Sequence, residues 1–482
     1  MTVLLLLSIF TIDLPAREAA PRKPNVLVIS IDDLNNWVEY LGGHPQVKTP
    51  AMNRLVERGI AFTNAHCSTP LCMPSRTAIL TGLSETKTKV YGNGSKFRVK
   101  DYKLLPQYFA DHSYVTYGAG KIHHKKINDE MFQQHLTTQQ RWSPFESKDV
   151  KYTKEELPSK GTDEPRHVIE NGPGGKTYVL PFNRMASERY PKDPKGESFD
   201  WAPFDLPDEA FGDGMVTDWA VKKIKEHQTD KPFFMMVGYY RPHIPLYAPK
   251  KYFDLYPLES IQLPKVLEDD LSDIPEPGKE RALSAVTAGT HKHVLKHKQW
   301  KHAVQAYLAC VSFIDSQIGK LLDHLDNSPY AKNTIIVLYS DHGWHLGEKH
   351  AWGKLTGWFH STNTPFIVCP PGLKKKSLCH EPVSLVDVYP SLIEMADLAK
   401  RDLDGVSLVP LLKNPALKTQ RVVKTHFQDG NYALSSNEWR FIHYRDGGEE
   451  LYNIKKDSLE FENLIGKSEY RSVIEELKKN VR

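Results

Sequence analysis

The chain has 482 residues, of which 40% are hydrophobic and 25% are charged, as in an ordinary soluble globular protein. Its length allows one large domain and a smaller one. The formal net charge of +4 is small for this length and argues against a nucleic-acid partner.

The amino terminus carries a short apolar run at residues 3–10, followed by Pro15 and the small residues Ala16, Ala19 and Ala20. The run is too short to span a bilayer, and the pattern predicts a secretory signal peptide over residues 1–20. No later stretch is long and apolar enough for a membrane span. The mature protein is therefore expected to be secreted or periplasmic.

Periodic segments alternate between strand and helix through most of the chain. Residues 26–31 form a largely apolar run rich in β-branched residues, which is typical of a strand buried on both faces. Further strands are predicted at residues 114–117, 233–238, 334–340 and 365–369. Helices are predicted at residues 49–59, 101–112, 214–227 and 300–325. The alternation predicts an α/β domain over residues 21–415, with a mostly parallel sheet covered on both sides.

Two long segments break this alternation, and the end of the chain changes character. Residues 128–212 are rich in Pro, Gly, Lys and Asp, and we expect them to form a long excursion over the surface. Residues 264–298 are polar and irregular. From about residue 420, short alternating strands precede a helix near 468–480, which predicts an antiparallel subdomain over residues 416–482.

The number and spacing of the cysteines say little about disulfide bonds. Five cysteines are too few for a disulfide scaffold. Cys369 and Cys379 flank a Pro-Pro-Gly turn and could form a disulfide, which the sequence leaves open.

Four predicted strands are followed at once by residues that can carry chemistry. In open α/β sheets ligands bind beyond the carboxyl ends of the strands, so these groups are expected to meet in one crevice. The groups are Asp32-Asp33, Lys121 with His123 and His124, His243, and Asp341-His342. Three carboxylates suit a hard divalent ion such as Ca²⁺, whereas an imidazole is a better ligand for zinc.

The segment around which the chain is organised is Cys-Met-Pro-Ser-Arg-Thr-Ala-Ile-Leu-Thr-Gly, residues 72–82. Pro74 fixes its own φ and disfavours a helical Met73, and Ser75 is expected to cap a helix that begins at Arg76. Residue 72 would then lie at the positive end of that helix, where an anion is stabilised.

This segment resembles the signature of formylglycine-dependent (type I) sulfatases. Three further segments and one residue pair resemble the iduronate-2-sulfatase branch: residues 120–124, residues 238–245, residues 352–354 and Asp341-His342. The resemblance extends from about residue 25 to residue 464 and implies an alkaline-phosphatase-like fold with a sulfuric ester hydrolase activity.

The resemblance also implies a role for each site residue. Cys72 would be converted to formylglycine by a formylglycine-generating or sulfatase-maturating enzyme, and the hydrated aldehyde would be the nucleophile. The implied ligands of one Ca²⁺ per chain are Asp32, Asp33, Cys72, Asp341 and His342. The implied catalytic groups are Arg76, Lys121 and Lys354 on the sulfate, His243 as general acid, and His124 or His123 as base. The doubled histidine leaves the base open, although the iduronate branch favours His124.

The expected substrate is a sulfated oligosaccharide or polysaccharide, and the iduronate-like features favour 2-O-sulfate on a uronic acid. The uronate carboxylate would need a further cation, for which Arg98 is the first candidate and Arg241 the second. Three alternatives stay open: a sulfatase for neutral sugars of algal polysaccharides, a phosphatase or phosphonate hydrolase of the same superfamily, and a non-catalytic glycan-binding relative.

Overall fold

The computed structural model describes residues 23–137, 141–145, 150–153, 166–185, 187–189, 198–373 and 375–479. The predicted signal peptide at residues 1–20 lies outside these ranges. None of the helices in the described ranges has the length and apolarity needed to cross a membrane.

The strands of the described ranges are as follows: β1 (Asn25–Ile31), β2 (Ile60–Phe62), β3 (Ala65–His66), β4 (Val115–Gly120), β5 (Gln134–Leu136), β6 (Val150–Thr153), β7 (Arg166–Ile169), β8 (Tyr178–Leu180), β9 (Trp201–Phe204), β10 (Phe233–Tyr239), β11 (Leu246–Pro249), β12 (Thr334–Ser340), β13 (His345–Leu346), β14 (Trp352–Gly353), β15 (Phe366–Cys369), β16 (Ser377–Cys379), β17 (Val383–Ser384), β18 (Val423–His426), β19 (Tyr432–Ser435), β20 (Trp439–His443) and β21 (Glu449–Asn453).

The α-helices of the same ranges are as follows: α1 (Pro50–Glu57), α2 (Cys72–Thr81), α3 (Glu85–Thr88), α4 (Leu105–Asp111), α5 (Gly212–Glu226), α6 (Lys250–Phe253), α7 (Glu276–Leu283), α8 (His291–Lys296), α9 (Trp300–Asp326), α10 (Phe359–Thr362), α11 (Val388–Met395), α12 (Val409–Lys413) and α13 (Arg471–Lys479).

An eight-stranded sheet forms the centre of the molecule, in the order β16-β2-β15-β12-β1-β10-β4-β5. The five strands from β12 to β5 run parallel to one another. Strand β15 is antiparallel to both of its neighbours, β12 and β2. The predicted mostly parallel α/β sheet is confirmed, and its parallel part contains every strand whose end was predicted to carry chemistry.

Both faces of the sheet are covered. Successive residues of β1 enter two different apolar cores, since Leu27 and Ile29 pack in one and Val26 and Val28 in the other. Helices α1, α5 and α9 contribute to the first core, and α2, α4 and α11 to the second. This double coverage explains why the strand sequence is continuously apolar rather than alternating.

The expectation that residues 128–212 form a surface excursion is wrong for their described part. Strand β5 extends the central sheet, β6, β7 and β8 form an antiparallel sheet, and β9 pairs with β11. The aromatic residues Trp142, Phe145 and Trp201 are buried in the core. These aromatic side chains are spaced without a helical or strand period, so the sequence pattern did not reveal their burial. The segment 264–298, predicted as irregular, likewise contains α7 and α8.

At the carboxyl end, β18, β19, β20 and β21 form an antiparallel sheet in that order, as predicted. The suggested disulfide between Cys369 and Cys379 is absent, and all five cysteines are buried free thiols. Cys369 ends β15 and Cys379 ends β16, on either side of β2. Two strand spacings separate them by roughly 10 Å, which is too far for a disulfide.

Candidate active site

The carboxyl ends of four parallel strands meet at one edge of the central sheet. Strand β1 leads into Asp32 and Asp33, β12 into Asp341, β4 into Lys121, and β10 into the loop that carries His243. The register brings these ends level, because Ile31 pairs with both Ser340 and Tyr239. The strand-end residues therefore converge in one place, as the sequence predicts.

Two glycines allow the closest approach of these strand ends. A side chain at Gly120, whose φ is +75°, would place its Cβ 2.1 Å from the carbonyl oxygen of Gly238. Only glycine fits such a position. The close approach lets the backbone N–H of Lys121 donate to the Gly238 carbonyl at 2.8 Å, which fixes the start of the Lys121 turn.

Helix α2 presents Cys72 to this edge in a way that differs from the prediction. The helix begins at Cys72 itself, not at Arg76, and Ser75 is not its cap. The Ser75 hydroxyl instead donates to the carbonyl oxygen of Asp341 at 2.6 Å, so it joins the helix to the end of β12. Asn93 accepts the backbone N–H of Met73 at 3.0 Å and satisfies one of the donors at the helix start.

Arg76 holds two of the carboxylates from one side. Its Nε lies 2.7 Å from an Asp341 oxygen and a terminal nitrogen lies 3.2 Å from an Asp32 oxygen, with all three side chains fully buried. The guanidinium also donates to the hydroxyl of Ser30 at 3.1 Å and to the carbonyl oxygen of Lys121. Such complete pairing makes Arg76 an organiser of the acidic residues.

Two lysines approach the same acidic residues from the crevice. Lys121 Nζ lies 2.5 Å from an Asp32 oxygen, and Lys354 Nζ lies 2.5 Å from an Asp33 oxygen. Lys354 Nζ is also 3.1 Å from the sulfur of Cys72. Burial raises the pKa of the Cys72 thiol, but Lys354 and Lys121 outweigh burial and hold that pKa well below its usual range. The site thus favours an anion at residue 72.

The acidic side chains leave space and lone pairs for a cation. Ligand atoms of Asp32, Cys72, Asp341 and His342 all lie within 4.8 Å of one another, as do those of Asp32, Asp33, Cys72 and His243. His342 donates through Nδ1 to the Gly343 carbonyl at 3.1 Å, so its Nε2 offers a lone pair.

The electrostatics of the acidic residues fit a divalent ion. Neither His342 Nε2 nor one oxygen of Asp33 has a hydrogen-bond partner, although both atoms are buried. Burial raises the pKa of Asp33 to about 7 and that of Asp341 to about 6, against the opposing effects of Lys354 and Arg76. Lys354 and Arg76 therefore do not offset the free-energy cost of burying the charged carboxylates of Asp33 and Asp341. A bound divalent ion would offset it.

His243 faces the same centre from the loop after β10. Its Nδ1 donates to the carbonyl oxygen of Ile244 at 2.6 Å, which directs Nε2 towards Asp33 at 3.8 Å and towards Cys72. Burial and the nearby Lys121 cation lower the pKa of His243 to about 3. The imidazole is neutral before an anionic substrate enters.

The two histidines of the doublet have different surroundings. His123 is buried, donates through Nε2 to the Thr77 hydroxyl at 3.3 Å, accepts the Lys125 N–H through Nδ1 at 3.3 Å, and packs 5.1 Å from the Phe97 ring. His124 is exposed and lies close enough to Cys72 to help lower the pKa of that thiol. The geometry therefore directs His124, and not His123, at the reactive residue.

Neither of the two arginines predicted to bind substrate lines the crevice. Arg98 has a side chain 69% exposed and pairs with Asp101 at 2.8 Å. Arg241 is fully buried, and its guanidinium donates to backbone carbonyls, among them those of His243 and Tyr247. The structure thus places both guanidinium groups away from the crevice surface.

The crevice in front of these groups has a volume of about 390 Å³. Several of its residues were not singled out from the sequence because they lie on irregular segments without a motif. They are Leu71, Asn93, Lys125, Lys126, Thr137, Arg141, Arg189, Ser198, Thr287 and Trp344, and Tyr240 of the segment 238–245 lines the crevice with them. Thr287 accepts the backbone N–H of Lys354 at 2.9 Å, and the Trp344 ring lies 5.4 Å from Lys354 Nζ, so both position that lysine.

Comparison with known proteins decides the family. Residues 24–398 match the Sulfatase family, and residues 347–482 match the C-terminal region of N-sulphoglucosamine sulphohydrolase. The chain belongs to the sulfatase family. It is a sulfuric ester hydrolase, and this family generally uses a formylglycine and a divalent metal.

Individual relatives agree with this membership. A sulfatase of Formosa agariphila is 37% identical over 466 residues, which are 95% of this chain and 86% of the relative. The human iduronate 2-sulfatase is 31% identical over 80% of this chain and 67% of its own length. A phosphonate monoester hydrolase of Agrobacterium radiobacter shares the fold, with a TM-score of 0.74 at 19% identity, covering 95% of this chain and 94% of that one.

Proposed function

We propose that this sulfatase removes the 2-O-sulfate of a uronic acid in a sulfated glycan. The observation that carries the proposal is the similarity to iduronate 2-sulfatase over 80% of this chain. The crevice supports it, since Lys121, Lys354 and Cys72 bring two cations and the reactive residue to one point. A sulfate oxygen anion is stabilised by such fixed positive charge.

Each side chain of the site has a part in the proposed reaction. Lys121 and Lys354 hold the non-bridging sulfate oxygens while the S–O bond to the sugar breaks. The negative charge of the bound sulfate raises the pKa of His243, so that its Nε2 takes up a proton from solvent. His243 Nε2 then gives this proton to the leaving sugar oxygen. His124 takes a proton from the hydroxyl at residue 72 in the second step, which releases inorganic sulfate.

The modified residue supplies a geminal diol, of which one oxygen attacks sulfur and the other expels the product. We infer that a maturation enzyme converts Cys72 during export directed by residues 1–20. Protein produced with such an enzyme should carry an aldehyde at residue 72, seen in the mass of the peptide covering residues 67–76. Cys72→Ala should lower kcat by at least about 10⁴-fold, as expected when a nucleophile is removed.

Full activity in Cys72→Ala would contradict the mechanism. The substrate is tested separately with sulfated disaccharides from heparin, dermatan and algal polysaccharides. Release of sulfate from a 2-sulfated uronate supports the proposal. Turnover of neutral sugar sulfates alone, or of phosphate and phosphonate esters in preference to any sulfate, would overturn the assignment to uronates.

We propose calcium as the ion, because Asp32, Asp33 and Asp341 outnumber the single imidazole of His342 as ligands. When bound, the ion lowers the pKa of the attacking oxygen and offsets the charge of the buried carboxylates. Elemental analysis should find one calcium per chain, and Asp341→Asn should lose it while keeping its far-ultraviolet circular dichroism. One tightly bound zinc that alone restores activity would contradict the choice of ion.

A further inference from the structure

The outer wall of the crevice carries positive charge that the reaction does not use. We call the exposed side chains Lys125, Lys126 and Arg141 the outer basic wall. Lys125 donates to the carbonyl oxygen of Phe97 at 3.3 Å. Within the described ranges, the side-chain partner of the Arg141 guanidinium is the neutral Ser198 hydroxyl, and Arg141 forms no ion pair with a carboxylate. Arg141 is also the guanidinium of the wall, and its paired N–H donors make it the member best placed to receive an anion with two oxygens.

Arg141 is held in place by neutral contacts. Its terminal nitrogen donates to the Ser198 hydroxyl at 3.1 Å, and its guanidinium carbon lies 5.4 Å from the centre of the buried Trp142 ring. Burial raises the pKa of the Tyr240 hydroxyl, and Lys121 and then Arg141 oppose this rise. Lys121 Nζ lies 4.5 Å from the Tyr240 ring, so Tyr240 lies near both Arg141 and the sulfate-binding lysine.

The backbone that carries Arg141 is tied to the loop of the general acid. Arg241 donates to the carbonyl oxygens of Arg141 and Ser143 at 3.3 Å and to that of His243 at 3.2 Å. The buried Arg241 thus fixes the backbone of Arg141 relative to that of His243. A substrate group bound by Arg141 would have a set position relative to the leaving oxygen.

We propose that Arg141 determines specificity by binding the carboxylate of the uronic acid whose sulfate is removed. The proposal rests on the function proposed above and names the residue that recognises its acidic substrate. A guanidinium presents paired N–H donors that match the two oxygens of a carboxylate. The cation needed beside the sulfate is therefore Arg141, rather than Arg98 or Arg241.

The test compares two substrates in wild-type enzyme and in Arg141→Gln. The substrates are a heparin disaccharide with 2-O-sulfate on its uronic acid and 4-nitrophenyl sulfate, which has no carboxylate. Arg141→Gln should raise KM for the disaccharide about 10- to 100-fold with kcat within about threefold, since a charge-assisted contact is lost. KM for 4-nitrophenyl sulfate should change less than about twofold. Arg141→Lys should restore part of the affinity.

Arg98→Gln is the matched control, because Arg98 is an exposed arginine outside the crevice. It should leave both substrates unchanged. An equal loss on both substrates in Arg141→Gln, or no loss on either, would overturn the proposal. An effect of Arg98→Gln as large as that of Arg141→Gln would also overturn it.

A binding measurement separates this proposal from the proposed function. Calorimetry with Cys72→Ala measures the Kd of the 2-sulfated disaccharide and of its desulfated product, which keeps the carboxylate. Both should weaken about tenfold or more when Arg141→Gln is added. Binding that depends on Arg141 without any wild-type turnover would refute the proposed function alone. Turnover and binding independent of Arg141 would refute the role of Arg141 alone.

Discussion

Two clusters of buried charge in the described part of the chain differ sharply, and one of the two has the features of a site. The active-site cluster is formed by Asp32, Asp33, Arg76, Lys121, Asp341 and Lys354. The second cluster is formed by Asp270, Lys349, Arg440 and Glu460, and we call it the C-terminal cluster. In the latter, Lys349 Nζ lies 2.7 Å from Asp270, and Arg440 Nε lies 2.9 Å from Glu460.

The two clusters differ in the contacts that their charged side chains make beyond these ion pairs. In the C-terminal cluster, Glu460 also accepts the backbone N–H of Phe359 at 2.8 Å, and Arg440 donates to the Thr362 hydroxyl at 2.8 Å. These contacts join β20 and the segment after β21 to α10. Both clusters contain buried polar atoms without a hydrogen-bond partner. Among the described residues, ligand atoms of four side chains converge within 4.8 Å only in the active-site cluster, beside Cys72 and a crevice. Buried charge alone does not indicate a site, whereas buried charge with convergent ligand atoms and open space does.

Two lysines five residues apart offer a matched test of this difference. Lys354 pairs with Asp33 and Lys349 with Asp270, and all four side chains are almost fully buried. Lys354→Met should lower kcat/KM about 10³-fold, because sulfate loses a fixed cation, as happens when an oxyanion donor is removed. Lys349→Met should lower the free energy of unfolding by about 3–5 kcal/mol, because it leaves Asp270 buried without its partner.

Steady-state kinetics and urea unfolding of both variants give the two readouts. Lys349→Met should keep kcat within about twofold at a temperature where it is folded, since it does not touch the crevice. If Lys349→Met lost as much activity as Lys354→Met at full folding, the clusters would not be functionally distinct.

The sequence predicted most of the active-site cluster, because parallel strands impose a simple rule. The ends of β1, β4, β10 and β12 must lie at one edge of the sheet, so Asp32, Lys121, His243 and Asp341 converge. Cys72 and Lys354 lie outside these strand ends, and only the family resemblance placed them in the site. Their recruitment depends on how α2 and the turn around β14 pack, which local pattern does not reveal.

The outer basic wall was not predicted, and the two arginines chosen instead do not line the crevice. Arg98 and Arg141 both follow irregular sequence, and nothing local distinguishes an arginine paired with Asp101 from one beside Ser198. Arg241 directly precedes Pro242 in the predicted histidine loop, yet its side chain turns inward to satisfy buried carbonyls. Whether each arginine reaches the crevice depends on the tertiary packing around it, which the local sequence does not show.

His123 and His124 are adjacent, yet we assign a structural role to the first and a chemical role to the second. Substitutions of these two residues give the smallest predicted effects on activity. His124→Ala should lower kcat about 100-fold, because the hydroxyl at residue 72 loses its proton acceptor. His123→Ala should keep kcat within about threefold but lower the free energy of unfolding by about 1–3 kcal/mol, because it opens a cavity beside Phe97 and leaves Thr77 without its partner.

Burst kinetics under conditions that favour accumulation of the sulfated enzyme sharpen this prediction. Because His124 is assigned to the second step, His124→Ala should release the first alcohol at nearly the wild-type rate and then turn over slowly. His123→Ala should show no such burst, since its imidazole nitrogens are engaged with Thr77 and the Lys125 N–H. A burst in His123→Ala with unchanged kinetics in His124→Ala would reverse the assignment, and would mean that the buried imidazole turns towards residue 72 during catalysis.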